Sequence, residues 1–176
     1  MARRRYRKEV REAIVNATLK LLEQKSFEEL KIEEIMALSG FTKGTFYQYF
    51  DKKEGLWRYM VEMASNRFRM MLTTAQEEAH TPREAIDMLL KLQEKDLECW
   101  GMLMHIFAKA VVDDKMLRRR LLDRLFAFIM MFGGKATQAK AMLLLGTFIS
   151  IWVEGEVPKD VREVLYNALF THKSAI

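Results

Sequence analysis

Between Thr42 and Lys53 the chain concentrates side chains that can serve a polyanion: Thr42, Lys43, Thr45, Tyr47, Gln48, Tyr49, Lys52 and Lys53. No carboxylate interrupts the run from Thr42 to Phe50. Hydroxyls, an amide and ammonium groups suit hydrogen bonding to phosphates and base edges, not bond-breaking chemistry. Phe46 and Phe50 are four residues apart and share a face of any helix formed here. Thr42 is a good N-cap. The segment therefore reads as a helix anchored by phenylalanines, its opposite face carrying Gly44, Thr45 and Gln48 between Tyr47 and Tyr49. Immediately before it, IEEIMALS reads as another short helix, with Ile32, Ile35 and Met36 inward and Glu33 and Glu34 outward near the N-terminus. Gly40 follows, where a left-handed C-terminal glycine belongs. Short helix, tight turn, second helix is the arrangement that places a reading element in the DNA major groove.

Other chemistry finds little support. Cys99 and His105 lack a second histidine or a carboxylate partner at ligand spacing, so no metal site is expected. There is no phosphate-cradling glycine loop, no Gly-x-Ser-x-Gly and no His-Glu zinc pair, so neither an enzyme nor a cofactor is expected. The 176 residues carry a formal charge of +5. The distribution matters more than the sum: Arg3, Arg4, Arg5, Arg7, Lys8 and Arg11 face only Glu9 and Glu12. This basic arm suits phosphate or minor-groove contact, with Arg4 and Arg5 as its candidates. The single cysteine excludes an intrachain disulfide and fits a cytoplasmic setting. The longest apolar run, Ala141 to Val153, falls short of the roughly 20 residues that span a bilayer, and no apolar leader precedes the arm. The expectation is a soluble protein without a membrane partner.

The elements that must position these residues are all helices. Half the residues are apolar, and Gly and Pro are scarce. Val10, Ile14, Ala17 and Leu21 repeat at helical spacing from about Lys8 to Gln24. A long helix starts near Lys53. Thr81-Pro82-Arg83-Glu84 has the form of a capping box and opens the next. A separate apolar helix is expected over Leu97 to Val112, then Asp113 and Asp114 cap a helix ending at Gly133-Gly134. Further helices are expected over Ala136 to Glu154 and Asp160 to Phe170. The reading is an all-α fold of about nine helices: a helix-turn-helix domain over 1–54 and a helical body over 55–176.

At this point the sequence resembles the TetR family of bacterial transcriptional regulators, most strongly over residues 10 to 60. The residues that carry the likeness are Ile35, Gly40, Lys43-Gly44-Thr45-Phe46-Tyr47-Gln48-Tyr49-Phe50, Lys53 and Leu56. Two positions depart from the family pattern: Lys31 stands where threonine often caps the second helix, and Met36 where alanine is common. The resemblance implies that Thr45 and Tyr49 contact phosphates through hydroxyls and Lys53 contacts one by charge. It implies that Tyr47 lies along the backbone or reaches a thymine methyl, that Lys43 donates to guanine and that Gln48 pairs with an adenine edge. Gly44 would let the helix approach closely.

One helix-turn-helix gives a small interface, and useful specificity normally comes from two half-sites. Met142, Gly146, Ile149 and Val153 line one stripe of their helix, and Leu144, Phe148 and Ile151 line another. A small body cannot bury both without a partner. With Val161, Val164, Leu165, Ala168 and Leu169 of the last helix they form, by resemblance, a four-helix bundle between two subunits. Family resemblance also implies an effector pocket among the middle helices, with Trp100, Met104, His105, Phe107, Phe128, Met131 and Trp152 as its candidate lining. Thirteen Met residues suit such a pocket for an apolar or aromatic molecule, and suit an ordinary core equally. The leading expectation is a homodimeric repressor of a palindromic operator, released by a small effector. The alternative is a DNA-bound interaction protein switched by a protein partner or lacking an effector.

Overall fold

The structure, a computed structural model, describes the backbone of residues 2–171 and the side chains of residues 5–171. Eight helices follow in order: α1 (Ala2–Leu22), α2 (Ile32–Ser39), α3 (Lys43–Phe50), α4 (Lys53–Glu78), α5 (Pro82–Asp113), α6 (Lys115–Met131), α7 (Gln138–Glu154) and α8 (Val161–Phe170). There is no strand among the described residues. None of the helices there is long and apolar enough to cross a membrane. The chain divides into two compact units between Met63 and Ala64. That division lies further along α4 than residue 54, because Leu56 and Met60 are fully buried and Tyr59 packs its ring on Phe50 of α3.

In the first unit, Val10, Ile14 and Val15 of α1, Ile35 and Met36 of α2 and Phe46 and Phe50 of α3 supply the core. The α1 helix begins earlier than the apolar repeat indicated. Its first turns are basic and gain i,i+4 ion pairs, Arg5 to Glu9 at 3.0 Å and Lys8 to Glu12 at 3.5 Å. The segment read as an arm is thus continuous with helix. At the start of α2, Lys31 has no side-chain acceptor, so only half a capping box forms: the Glu34 carboxylate accepts from the Lys31 backbone N–H at 3.2 Å. Gly40 takes φ 77°, and the Phe41 N–H returns to the Met36 carbonyl at 3.2 Å.

In the second unit, Phe68 of α4, Phe107 of α5 and Phe148 and Trp152 of α7 form one aromatic cluster, with ring centroids 5.3 to 6.3 Å apart. Inside it the Trp152 indole N–H donates to Oε1 of the fully buried Gln93 at 2.6 Å. Eight helices stand where about nine were expected because the two segments around Leu97 run into one. The break survives as a kink at Trp100, with φ −144° and ψ 23°, followed by Gly101. Beside the kink, Arg67 of α4 stacks over the Trp100 ring at 4.8 Å and pairs with Asp96.

The remaining boundaries follow from local caps. Thr81 accepts from the Glu84 N–H, and Asp114 from the Met116 and Leu117 N–H groups. Thr137 does the same for Lys140 and opens α7. Two ion pairs tie α5 to α8, Arg83 to Glu163 at 2.5 Å and Arg162 to Asp87 at 2.7 Å.

Candidate nucleic-acid interface

The α3 helix is held from below and left open above. Phe46 is fully buried and Phe50 nearly so, their centroids 5.6 Å apart. At its start the Thr42 hydroxyl accepts from the Thr45 N–H at 3.3 Å and lies 3.1 Å from the Thr45 hydroxyl. At its end the chain turns so tightly into α4 that a Cβ on Gly55 would lie 2.0 Å from the Phe50 carbonyl oxygen. Only glycine fits there, and this close approach fixes where α3 stops.

On the open face Lys43, Gly44, Tyr47 and Gln48 are exposed, with Tyr47 at 48%. Thr45 and Tyr49 are half-buried at its margins. A methyl on Gly44 would meet only the Thr42 hydroxyl, at 3.7 Å, so this glycine keeps the surface low and is not required by the local packing. The face therefore presents an ammonium, a phenol and a carboxamide in one turn and a half of helix.

Lys43 is not free in this surface. It donates to Glu33 of α2, an exposed pair in which the carboxyl is held below its ordinary range chiefly by that hydrogen bond. The Lys43 ammonium is pushed up for the same reason, with the Glu33 charge adding to it. Lys53 departs further from its expected role. Its ammonium donates to the carbonyls of Phe27 at 2.9 Å, Glu28 at 2.8 Å and Leu30 at 3.0 Å, and it sits 5.2 Å from the centre of the Phe27 ring. An ammonium has three donors, so the clasp on the α1–α2 loop uses all of them. Lys53 thus holds the α1–α2 loop in this structure, whereas its neighbour Lys52 is exposed.

Of the basic residues proposed near the start, the Arg4 side chain lies outside the described residues. Arg5 is exposed and pairs with Glu9. Three residues matter here that local pattern missed. Glu33 restrains Lys43, and Gly55 sets the α3–α4 turn. Arg11 of α1 lays its guanidinium 5.7 Å from the centre of the Tyr49 ring and 5.4 Å from that of Tyr59. Its membership of the basic stretch was the available signal; its contact with α3 is tertiary.

The residues considered for a pocket divide between core and surface. Phe107 and Trp152 meet in the aromatic cluster, Met104 is buried, and Trp100 is half-buried at the α5 kink. Phe128 is buried against Phe132, with centroids 5.1 Å apart. His105 and Met131 are exposed, as is Cys99. No cluster of three or more metal-ligating side chains occurs among the described residues. The two stripes of α7 separate as their spacing demands. Leu144, Phe148 and Ile151 are buried, while Met142 and Val153 are about half exposed, Gly146 is exposed and Ile149 is partly so. On α8, Val164 is exposed, Val161 and Ala168 partly so, and Leu165 and Leu169 are buried in the unit's own core.

An all-α chain whose N-terminal unit lifts a polar, tyrosine-bearing helix on a buried phenylalanine pair has the form of a helix-turn-helix protein. Residues 14–60 match the family model described as bacterial regulatory proteins, tetR family. Solved structures share the fold along most of the chain. A TetR-like transcriptional regulator from Rhodococcus sp. RHA1 superimposes with a TM-score of 0.70 at 17% identity, over 90% of this chain and 92% of that one. The TetR family regulator PfmR from Thermus thermophilus gives 0.67 at 17% identity, over 86% and 92%. A gamma-butyrolactone receptor described as ArpA-like gives 0.65 at 16% identity, over 92% and 95%. No curated protein matches the sequence. Residues 14–60 thus match the TetR-family model, in a chain that shares its fold with TetR-like transcriptional regulators.

Proposed function

We propose that this chain is a homodimeric transcriptional repressor that binds a palindromic operator and is released by a small apolar or aromatic effector. The observation that carries the DNA-binding part is the exposed face of α3, where Lys43, Tyr47 and Gln48 project from a helix seated on Phe46 and Phe50. In the major groove such a face would meet base edges with Lys43 and Gln48 and the sugar-phosphate backbone with Thr45, Tyr47 and Tyr49. Lys52 is better placed than Lys53 to add a phosphate contact.

Dimerisation is supported by the outward stripe of Met142, Ile149 and Val153 on α7 and by Val164 on α8. Apolar groups aligned on a helix face and left in water are the usual mark of an interface. A two-fold dimer would present two α3 helices to half-sites about 34–36 Å apart. For the effector, support comes from the aromatic cluster and from the Gln93 amide nitrogen, which is buried without a hydrogen-bond acceptor. A ligand carbonyl or hydroxyl oxygen would satisfy it. Ligand binding beside α4 would then bias the position of α3, which directly precedes it.

The test is selection of bound fragments from genomic DNA at near-physiological salt. Recovery of a palindrome, bound as a dimer, is the expected result. Binding that depends on salt but not on sequence would overturn the operator reading. The interaction-protein alternative is favoured by the α6 surface, where Met116, Phe126, Met130 and Met131 are all exposed. Native mass spectrometry of the purified chain separates the two, because a retained small molecule supports the effector.

A further inference from the structure

Beside the open face of α3 lies a cleft of about 500 Å³ lined by Tyr6, Arg7 and Arg11 of α1 and by Gln48 and Tyr49 of α3. Two cations one helical turn apart share it. Like charges at that spacing disfavour a helix, and among the described residues no carboxylate is paired with either. Arg5 and Lys8, on the same helix, are each paired with a glutamate. The contrast is local: ion pairing serves the other sides of α1, and the side facing α3 is left positive.

Arg11 is also held in place. Its guanidinium rests against Tyr49 and Tyr59, and its Nε–H is buried without an acceptor. Aromatic contact fixes the plane of a guanidinium but offers no hydrogen-bond acceptor in that plane. A half-buried cation with a like-charged neighbour and no paired carboxylate suits an anion with several acceptor oxygens. The geometry points to a single DNA backbone phosphate, bound jointly by Arg7 and Arg11 at the mouth of this cleft. Tyr49 and Gln48 line the same cleft from α3, so the phosphate would be shared by the two helices. It would set the depth and register at which α3 enters the groove. Phosphate contacts position a reading helix without carrying sequence information themselves. Arg7 and Arg11 are thus positioning residues, an assignment that rests on the DNA-binding reading.

The test uses the full chain and a labelled random-sequence duplex of about 30 base pairs, with binding followed by fluorescence anisotropy over a series of KCl concentrations. The variants are Arg7→Gln, Arg11→Gln, the double substitution, and Lys20→Gln, which removes an exposed charge elsewhere on α1. Arg7→Gln and Arg11→Gln should each weaken binding about tenfold and lower the slope of log K against log salt by about 0.9, the loss of one phosphate. Because both arginines serve the same phosphate, the double variant should lose far less than the product of the single losses. Lys20→Gln should keep the wild-type slope. Single variants that match Lys20→Gln, or losses that multiply in the double variant, would overturn the shared site. Circular dichroism checks the fold; should Arg11→Gln unfold, exposed Arg7→Gln alone decides by its slope. A wild-type chain that binds no duplex at any salt overturns the DNA-binding reading, and the cleft assignment with it. Wild-type binding with unchanged slopes in the variants overturns the cleft assignment alone.

Discussion

Lys43, at the first position of α3, donates to Glu33 on α2 across the turn between the two helices. The first residue of α3, proposed above to read base edges, therefore carries its own competitor for an anion. In the proposed DNA complex, Lys43 would exchange a carboxylate for a phosphate or a guanine edge, leaving Glu33 facing a polyanion. Glu33→Gln removes that charge and weakens the restraint on Lys43. The expected outcome is tighter duplex binding, by about 2- to 10-fold at roughly 0.1 M salt, with the gain shrinking as salt rises. Anisotropy titration of the two proteins checks it; equal affinities would mean that the pair persists in the complex.

The clasp made by Lys53 leads to a prediction about stability in place of one about binding. Its ammonium satisfies three carbonyls of the α1–α2 loop, two of them partly buried. Lys53→Met keeps an unbranched side chain and removes all three hydrogen bonds together with the ammonium over the Phe27 ring. The expected loss is about 1–3 kcal/mol, since water can replace some of them. Denaturant unfolding checks it. A variant of wild-type stability whose DNA binding falls with the salt slope of one lost phosphate would return Lys53 to the interface.

How much of this was legible in the sequence depended on how local the cause was. Gly40, Thr42, Thr81 and Asp114 act within one turn of their own helix ends, and their roles follow from residue type and position. The buried pair Phe46 and Phe50 follows from spacing alone. The loop contacts of Lys53 were not legible because its three acceptors lie more than twenty residues away, on a loop whose path no periodicity reveals. Arg11 was visible as a charge but not as a neighbour of Tyr49. The α5 kink illustrates a third case: the pattern started a new helix at Leu97, whereas the helix bends at Trp100 without ending. The first turns of α1 show the converse, since basic composition suggested an arm where i,i+4 pairing extends a helix.

Three glutamates in the N-terminal unit make its stability depend on acid. Glu29 is held below the ordinary carboxylate range chiefly by the Ser26 N–H, with the Ser26 hydroxyl adding to it. Glu34 is held low by the hydrogen bond from Lys25 and then by the Lys31 N–H, and Glu33 by Lys43. A folded-state pKa below the unfolded value near 4.5 means that the charged form is favoured by folding. The resulting stabilisation is complete above that value and is lost as pH falls through the lower folded values. Denaturation midpoints should be flat with respect to these groups above about pH 5 and should drop below pH 4.5. A Glu29→Gln/Glu34→Gln double variant should be less stable at neutral pH and show a shallower acid decline. An unchanged acid profile would assign the dependence to other carboxylates.

The last prediction concerns the outward stripe of α7. Leu144, Phe148 and Ile151 already fill the unit's own core, so substitution of Met142 or Val153 should leave that core intact. Met142→Glu and Val153→Glu place charges where a two-fold interface would bury them twice, once from each subunit. In an interface a buried unpaired carboxylate costs several kcal/mol, whereas on a solvated monomer face it costs almost nothing. The expected outcome is a wild-type chain that sediments at twice its 20.7 kDa mass and a double variant that sediments as a monomer with its thermal fold preserved. The monomer should also lose operator affinity steeply, because the second half-site no longer binds as an intramolecular event. A variant that remains dimeric would move the interface to another surface, and the exposed α6 face with Phe126 and Met130 would be the next to substitute. Leu165 and Leu169 are poor choices for this test. Both are buried in the monomer's own core, so changing them would unfold the unit and could not report on association.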